Sequence, residues 1–408
     1  MPIDTGDTAW MMVATGLVMI MTPALGLFYG GLIRGKNTLS VMMQAFSGLA
    51  ILSILWFLIG FTLVFSPSLG GVIGGLQWAF FNEVPFDSAL DYAPSIPGVT
   101  FATFQMMFAV ITPLLIIGAL AERVKFGAFM IFIVAWSFVV YFPLAHWVWG
   151  GGWLANLGVY DFAGGIVVHT SAGMASIAAA LVLGRRKNFE FAAIPNNIPL
   201  AVLGASLLWL GWFGFNAGSA LTSGALAAHA FLVVQIGAVT SAVVWLLISW
   251  KRSKKPSVTA AINGAICGLV VATPTAGFIT AQSAFLLGIV AGFASYFAIV
   301  LIKERLKIDD ALDVGSVHGI TGIIGAIAIG FVATTLVNPA GPNGLLYGNA
   351  SQLAIQALGV AVATGLAFGG TIVIMKAIDK TIGLRVTEVE EDIGLDIVEH
   401  AERAYVEQ

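Results

Sequence analysis

Long apolar runs alternate with short polar connectors along this chain. The runs are about 20 residues each, the length at which a helix crosses the hydrocarbon core of a bilayer. They fall at about 9–31, 42–65, 101–121, 127–148, 162–184, 197–219, 225–250, 258–275, 282–302, 314–336 and 351–376. The pattern predicts an all-α integral membrane fold with eleven transmembrane helices. Residues 1–376 form the membrane domain and 377–408 a polar tail. The first seven residues are acidic and lack the basic start of a signal peptide, so the first run is read as a true span.

The connectors sort by charge. Basic residues gather at 34–37, 122–125, 185–188, 251–255 and 303–307. The intervening loops, 66–100 and 338–350, are acidic or uncharged. With eleven spans, all 18 lysines and arginines lie on one side once the tail is counted. The positive-inside rule makes that side cytoplasmic, which puts the N-terminus outside and the tail inside a cell membrane.

The two halves carry related features. Leu25-Gly26-Leu27-Phe28 in the first span resembles Leu210-Gly211-Trp212-Phe213 in the sixth. Asp161 precedes His169 by eight residues in the fifth, and Asp310 precedes His318 by eight in the tenth. Five spans per half force the repeats into opposite orientations, leaving a final helix outside the duplication. Inverted repeats place a substrate path at their interface, near the midplane.

Composition agrees with the pattern. The chain is 59% hydrophobic and 10% charged, whereas soluble domains carry about 25% charged residues. A net charge of -3 gives no sign of a nucleic-acid partner. A lone cysteine, Cys267, excludes an internal disulfide. The 48 glycines are mostly explained by close helix packing.

Ionisable residues inside a membrane are costly and usually functional. His169 and His318 lie within spans, with no carboxylate beside them at depth. Two separate histidines, each bonded to a backbone carbonyl, are the plainer alternative. Their equivalent places in two repeats favour a pair that shares one hydrogen bond, one ring donating and the other accepting. His146 and His229 read as structural or interfacial, and His400 falls in the tail. Asp161, at a helix start, reads first as a cap for free N–H groups, and second as a source of field for a cation nearby. Most of the tryptophans, Trp212 included, read as interfacial anchors. Trp149, Phe108, and Phe215 with Ser219 stand apart: aromatic faces attract a cation and a hydroxyl adds an acceptor.

At these residues the chain resembles the Amt/Mep/Rh ammonium transporter family, in its Amt branch. The resemblance is carried by Phe28-Tyr29-Gly30-Gly31-Leu32-Ile33-Arg34-Gly35-Lys36-Asn37, Gly118-Ala119-Leu120-Ala121-Glu122-Arg123, Ala145-His146 with Trp149-Gly150-Gly151-Gly152, and Asp161-Phe162-Ala163-Gly164-Gly165 before His169. It continues through Gly211-Trp212-Phe213-Gly214-Phe215-Asn216-Ala217-Gly218-Ser219, Asp313 with Val317-His318-Gly319, and in the tail Gly383-Leu384-Arg385-Val386 and Gly394-Leu395-Asp396. The resemblance implies a homotrimer with one pore per subunit. It implies ammonium recruitment at Trp149, Ser219 and Phe108, a gate of Phe108 and Phe215, a pore lined by His169 and His318, and a buried outer aspartate at Asp161. Met106 and Met107 precede the gate and are flexible, so its packing is expected to differ in detail.

The expected activity is ammonium transport, with methylammonium as an analogue and no cofactor, metal or enzymatic step. Ammonium would be recruited outside, lose its proton near the gate and pass as ammonia. The proton either follows along the histidines, moving net charge, or returns outside. Three other readings compete. An ammonium sensor would normally carry a larger signalling domain than this tail. A neutral gas channel of the Rh kind would not need the cation-recruiting pair Trp149 and Ser219. A cation-coupled transporter would need a charged site at depth. The tail holds Glu388, Glu390, Glu391, Asp392, Asp396, Glu399, Glu402 and Glu407 among the apolar Ile393, Leu395, Ile397 and Val398. It is expected to dock on basic loops, including 185–187 and 251–255, across a subunit boundary. The resemblance adds a PII-type signalling protein as a partner.

Overall fold

The computed structural model describes residues 2–187, 189 and 194–405; Asn188, the last residue of the 185–188 connector, and Glu407 of the tail lie outside them. Among the described residues ten helices are long and apolar enough to cross a membrane. In chain order they are α1 (Thr5–Leu32), α2 (Gly35–Phe65), α3 (Gly98–Leu120), α4 (Phe126–Asn156), α5 (Gly165–Leu183), α6 (Ile198–Gly218), α7 (Ala225–Ser253), α9 (Ala281–Arg305), α10 (Gly315–Val332) and α11 (Ser351–Thr381). The eighth apolar run folds as a shorter helix, α8 (Val258–Ala272). It ends where Thr273 and Thr275 turn their hydroxyls back onto carbonyls of its last two turns. The chain then folds through turns as far as Ile279 before α9 begins.

Several boundaries differ from expectation for local reasons. α11 continues to Thr381, because Lys376, Asp379 and Lys380 remain helical beyond the apolar stretch, so the tail departs later than residue 377. α4 is interrupted at 149–152, where Gly151 takes a positive φ of 76°. Among the described residues five turns are π-helical, at Trp56–Gly60, Ser137–Tyr141, Gly165–Thr170, Val300–Arg305 and Gly315–Ile320. Such wide turns are rare and often mark functional positions. Two of these five contain His169 and His318.

Two pairs of helices distant in the chain pack closely on one another. α1 lies along α6, and a Cβ added at Gly204 would come 2.3 Å from the Phe28 backbone nitrogen. α5 crosses α10 even more tightly: a Cβ at Gly173 would lie 2.2 Å from both Cα and N of Gly319. Helix backbones meet at such distances only where a glycine leaves out its side chain, and at the α5–α10 crossing both partners do. These glycines therefore set the crossing that brings His169 to His318.

The basic loops and the tail form one layer. Arg186 is buried at its centre. It forks onto Asp309, with Nη2–Oδ1 at 2.7 Å, and reaches Glu122 Oε2 at 2.6 Å. Burial alone would raise the carboxyl of Glu122, but Arg186 beside it and the N–H of Arg34 hold it below the usual range. Asp309 is likewise held low against burial by Arg186 and Arg123. Truncating one partner of such a buried group leaves the other unpaired and costs far more than a surface pair would.

The tail adds to this layer through short helices α12 (Glu388–Ile393) and α13 (Leu395–His400). Its entry strand exchanges backbone bonds with the α3–α4 turn: Lys125 N–H donates to Leu384 O and Val386 N–H to Arg123 O. Asp396 accepts the N–H of Ser40 at 2.8 Å, and Glu399 that of Phe126 at 3.1 Å, so tail carboxylates sit at the helical starts of α2 and α4. Lys36 donates to the carbonyls of Glu391 and Asp392, and Lys187 pairs with Asp392. The tail thus docks on 34–37, 122–126 and 185–187; residues 251–255 take no part in its hydrogen bonds or ion pairs among the described residues.

Candidate functional site

A vestibule of about 350 Å³ opens on the face opposite the basic loops. Gln105, Phe108, Trp149, Tyr160, Asp161 and Ser219 are among its walls. Trp149 is pinned by its indole N–H, which donates to the carbonyl of Asp161 at 2.9 Å. Its ring meets Phe108 edge-on, with centroids 6.0 Å apart and planes at 89°. The hydroxyl of Ser219 donates to Phe215 O at 2.8 Å. With its proton committed there, the Ser219 oxygen can only accept, which suits a donor-bearing cation.

Asp161 is buried, and both its oxygens are filled by backbone. Oδ1 accepts the N–H groups of Gly164 and Gly165 at 2.8 and 2.7 Å. Oδ2 accepts those of Ile166 and Val167 at 2.7 and 3.0 Å. The carboxylate gathers the free donors at the start of α5, as a cap should. It faces the vestibule only through its field, having no oxygen left for direct ligation.

Beneath the vestibule the rings of Phe108 and Phe215 overlap, 4.2 Å between centroids. Phe108 lines the vestibule, and Phe215 lines a second, inner void. The pair therefore separates the two spaces. The inner void holds about 10 Å³ and is walled by Phe28, Leu115, His169, Trp212, Phe215 and His318. That is close to the ~10–15 Å³ needed for one water-sized molecule.

His169 and His318 meet through Nδ1 atoms 3.2 Å apart. A hydrogen bond between them requires one Nδ1–H and one bare Nδ1, so the two neutral rings hold complementary tautomers. Among the described atoms, Nε2 of His169 has no partner. Trp212, expected as an interfacial anchor, is instead buried and stacks on both rings, at 5.3 Å from His169 and 6.5 Å from His318. Its indole N–H is taken by Thr273 Oγ1 at 2.9 Å, which fixes the ring as a flat wall. The only sequence signal for this role was the place of Trp212 one turn before Phe215. His146 is held between Val64 O and Ser68 Oγ, and His229 bonds to Ile279 O; both are structural. Among the described residues no cluster of His, Cys, Asp and Glu is placed to hold a metal.

Residues 9–405 match the Ammonium Transporter Family. Ammonium transporter 1 of Dictyostelium discoideum is 52% identical over 98% of this chain and 88% of that protein. The ammonium transporter of Bacillus subtilis (strain 168) is 47% identical over 99% of each. Among solved structures, Saccharomyces cerevisiae Mep2 superposes with a TM-score of 0.89 at 33% identity, covering 95% of this chain and 91% of that one.

Proposed function

The chain belongs to the Ammonium Transporter Family, and we propose that it moves ammonium across a membrane by recruiting the cation, stripping its proton and passing neutral ammonia over the histidine pair. The observation that carries this reading is the contact of two buried imidazoles behind a closed aromatic pair. Ammonium and potassium are alike in charge and size, so a cation filter separates them poorly. An apolar passage rejects both as ions, because desolvating a bare ion costs of order 20 kcal/mol in the idealised limit and several after relaxation. Only ammonium can shed its charge by losing a proton. Ammonia then meets imidazole nitrogens that can both donate and accept.

In this reading Trp149 supplies a ring face and Ser219 an acceptor, while Phe108 closes the floor. Asp161 lends negative potential without touching the cation. Phe108 and Phe215 must part for each passage. The test is paired current and uptake measurement in proteoliposomes under ammonium and potassium gradients, where neither signal under ammonium would end the transport reading. Trp149→Leu removes a cation–π contribution of about 0.5–2 kcal/mol, so the half-saturating ammonium or methylammonium concentration should rise roughly 2- to 30-fold. An unchanged concentration dependence would reduce Trp149 to an interfacial anchor.

We further infer that α1–α11 all span, as two inverted repeats of five helices plus α11, with the N-terminus outside and the tail in the cytoplasm of a cell membrane. The sorting of all 18 lysines and arginines supports it, as do the close pairings of α1 with α6 and α5 with α10.

We also propose a homotrimer whose pores are coupled through the tail, with a PII-type protein as a further partner at that face. The bonds from α12, α13 and the entry strand to three loops support a tail that transmits force rather than one that hangs free. Removing everything after Ile382 should lower transport by about 2- to 30-fold, the range of typical coupling energies, and leave the oligomer intact on size exclusion. Full-rate transport by the truncated protein would make the tail dispensable. Binding to a cognate PII protein with and without 2-oxoglutarate tests the remaining partner.

A further inference from the structure

We propose that Asp310 is the proton acceptor at the basic end of the pore, taking on Oδ1 the proton that leaves the histidine pair and releasing it to the aqueous side of the basic loops. The proposal rests on the transport reading above and adds the exit for the proton.

The two carboxylates that stand eight residues before the pore histidines are not equivalent. Asp161 is saturated by four backbone N–H groups. Asp310 has one such bond at Oδ2, from Gly315 N–H at 2.6 Å, while Oδ1 has no hydrogen-bond partner. The residue is only 1% exposed. A buried carboxylate with an unmet oxygen pays a desolvation penalty that protonation relieves.

Among the described residues no cation bonds to it directly, and the nearest ones are paired first with other carboxylates. On its own segment, Asp313 is tied to Lys303 of α9 at 2.8 Å, and Asp309 to Arg186. Arg123, from the α3–α4 turn, gives its two terminal nitrogens to the carbonyls of Ala121 and Asp309 and lies 3.7 Å from the Asp309 carboxylate, its Nε bonding to nothing among the described atoms, Asp310 included. Tyr29, from α1, gives its hydroxyl proton to Leu115 O at 3.1 Å. Burial, then the nearby Asp313 carboxylate, push the Asp310 carboxyl up to about 6. A group that ionises within about a unit of the working pH both takes and releases protons efficiently. Tyr29 also gives Asp310 its place along the path. A Cβ added at Gly118 would come 3.0 Å from the Tyr29 hydroxyl and 2.5 Å from Val314, four residues after Asp310, and that hydroxyl donates to the carbonyl of Leu115, which lines the void with His169 and His318.

The step is a plain proton transfer. An N–H bond of a protonated imidazole, or an O–H bond of a protonated water, breaks as the O–H bond forms on Oδ1. The donor returns to neutral and Asp310 becomes an uncharged acid. The acid then gives the same proton to water on the basic side and the carboxylate is restored.

Asp310→Asn keeps an oxygen for Gly315 and removes the titration; Asp310→Glu restores it. In vesicles carrying the protein in one orientation, pH on the basic side is varied from about 5 to 7.5 at a fixed ammonium gradient, spanning the range in which the group titrates. Wild-type current should fall as that pH drops through about 6, because the protonated acid cannot accept. Asp310→Asn should carry at least about tenfold less current, with no such inflection, and Asp310→Glu should regain both. Asp310→Asn with wild-type current and the same inflection would overturn the proposal. Should the asparagine variant not fold, difference infrared spectroscopy of the wild type decides: a buried carboxylic-acid band must titrate near pH 6, and its absence overturns the assignment. A wild type silent to ammonium would overturn the transport reading itself, whereas a conducting wild type beside an unaffected variant removes only the role of Asp310.

Discussion

With aspartate in place of His169 or His318, the pore should lose its exclusion of potassium, pass ammonium poorly, or both. The barrier to a bare ion here comes from neutral walls around a void of about 10 Å³, with Trp212 and Phe215 against the His169 ring. A fixed carboxylate changes that balance. At roughly 4 Å and an effective dielectric of roughly 20, its attraction for a monovalent cation is about 4 kcal/mol. That lowers the ion barrier by about a thousandfold in rate. Potassium is held as well as ammonium by such a group, so selectivity by proton loss disappears. The loss also breaks the 3.2 Å Nδ1 contact, which removes one half of the lining that ammonia follows. Rubidium uptake and potassium current in proteoliposomes, without ammonium, measure the leak. If both aspartate variants kept the wild-type ammonium rate and full potassium exclusion, the paired histidines would not be the selective element.

Gly173→Ala, a single added methyl on a residue outside the pore lining, should abolish most transport. Its Cβ would sit 2.2 Å from Cα and N of Gly319. The obstacle is backbone, so no side chain can rotate away, and α5 must retreat from α10 by more than an ångström. Overpacking of this kind costs about 1–3 kcal/mol, occasionally more. The same retreat carries His169 away from His318. Misplacement of reacting groups by about 1 Å is worth on the order of a hundredfold in rate, and that is the expected loss of uptake, together with a lower unfolding temperature. Gly369→Ala in α11 is the control, since its Cβ meets nothing within 4 Å. Wild-type uptake and stability in Gly173→Ala would show that the crossing tolerates separation and that the histidines are positioned by something else.

How much of this was written in the chain depends on the range of the physics involved. The ten long apolar helices were legible because insertion into a bilayer depends on local apolar length and flanking charge, and both are properties of a short segment. The equal Asp–His spacings were legible for the same reason: Asp161 with His169, and Asp310 with His318, each sit on one stretch of chain. Span ends were less so. α8 stops at Ala272 because threonine hydroxyls and a turn intervene, and α11 runs on to Thr381 because polar residues stay helical in water. What the tertiary structure alone decided were contacts between residues far apart. His169 and His318 are 149 residues apart, and only the glycine crossing of α5 and α10 brings their Nδ1 atoms together. Trp212 looked like any interfacial tryptophan until α6 laid it against both imidazoles. The tail chose 34–37, 122–126 and 185–187 over the equally basic 251–255, because docking needs backbone donors and helix starts in register as well as opposite charge. Asp310 and Asp161 carry the same motif, yet one is saturated and the other is left with an open oxygen. Sequence fixes which groups are present; the geometry of folding fixes how many partners each one finds.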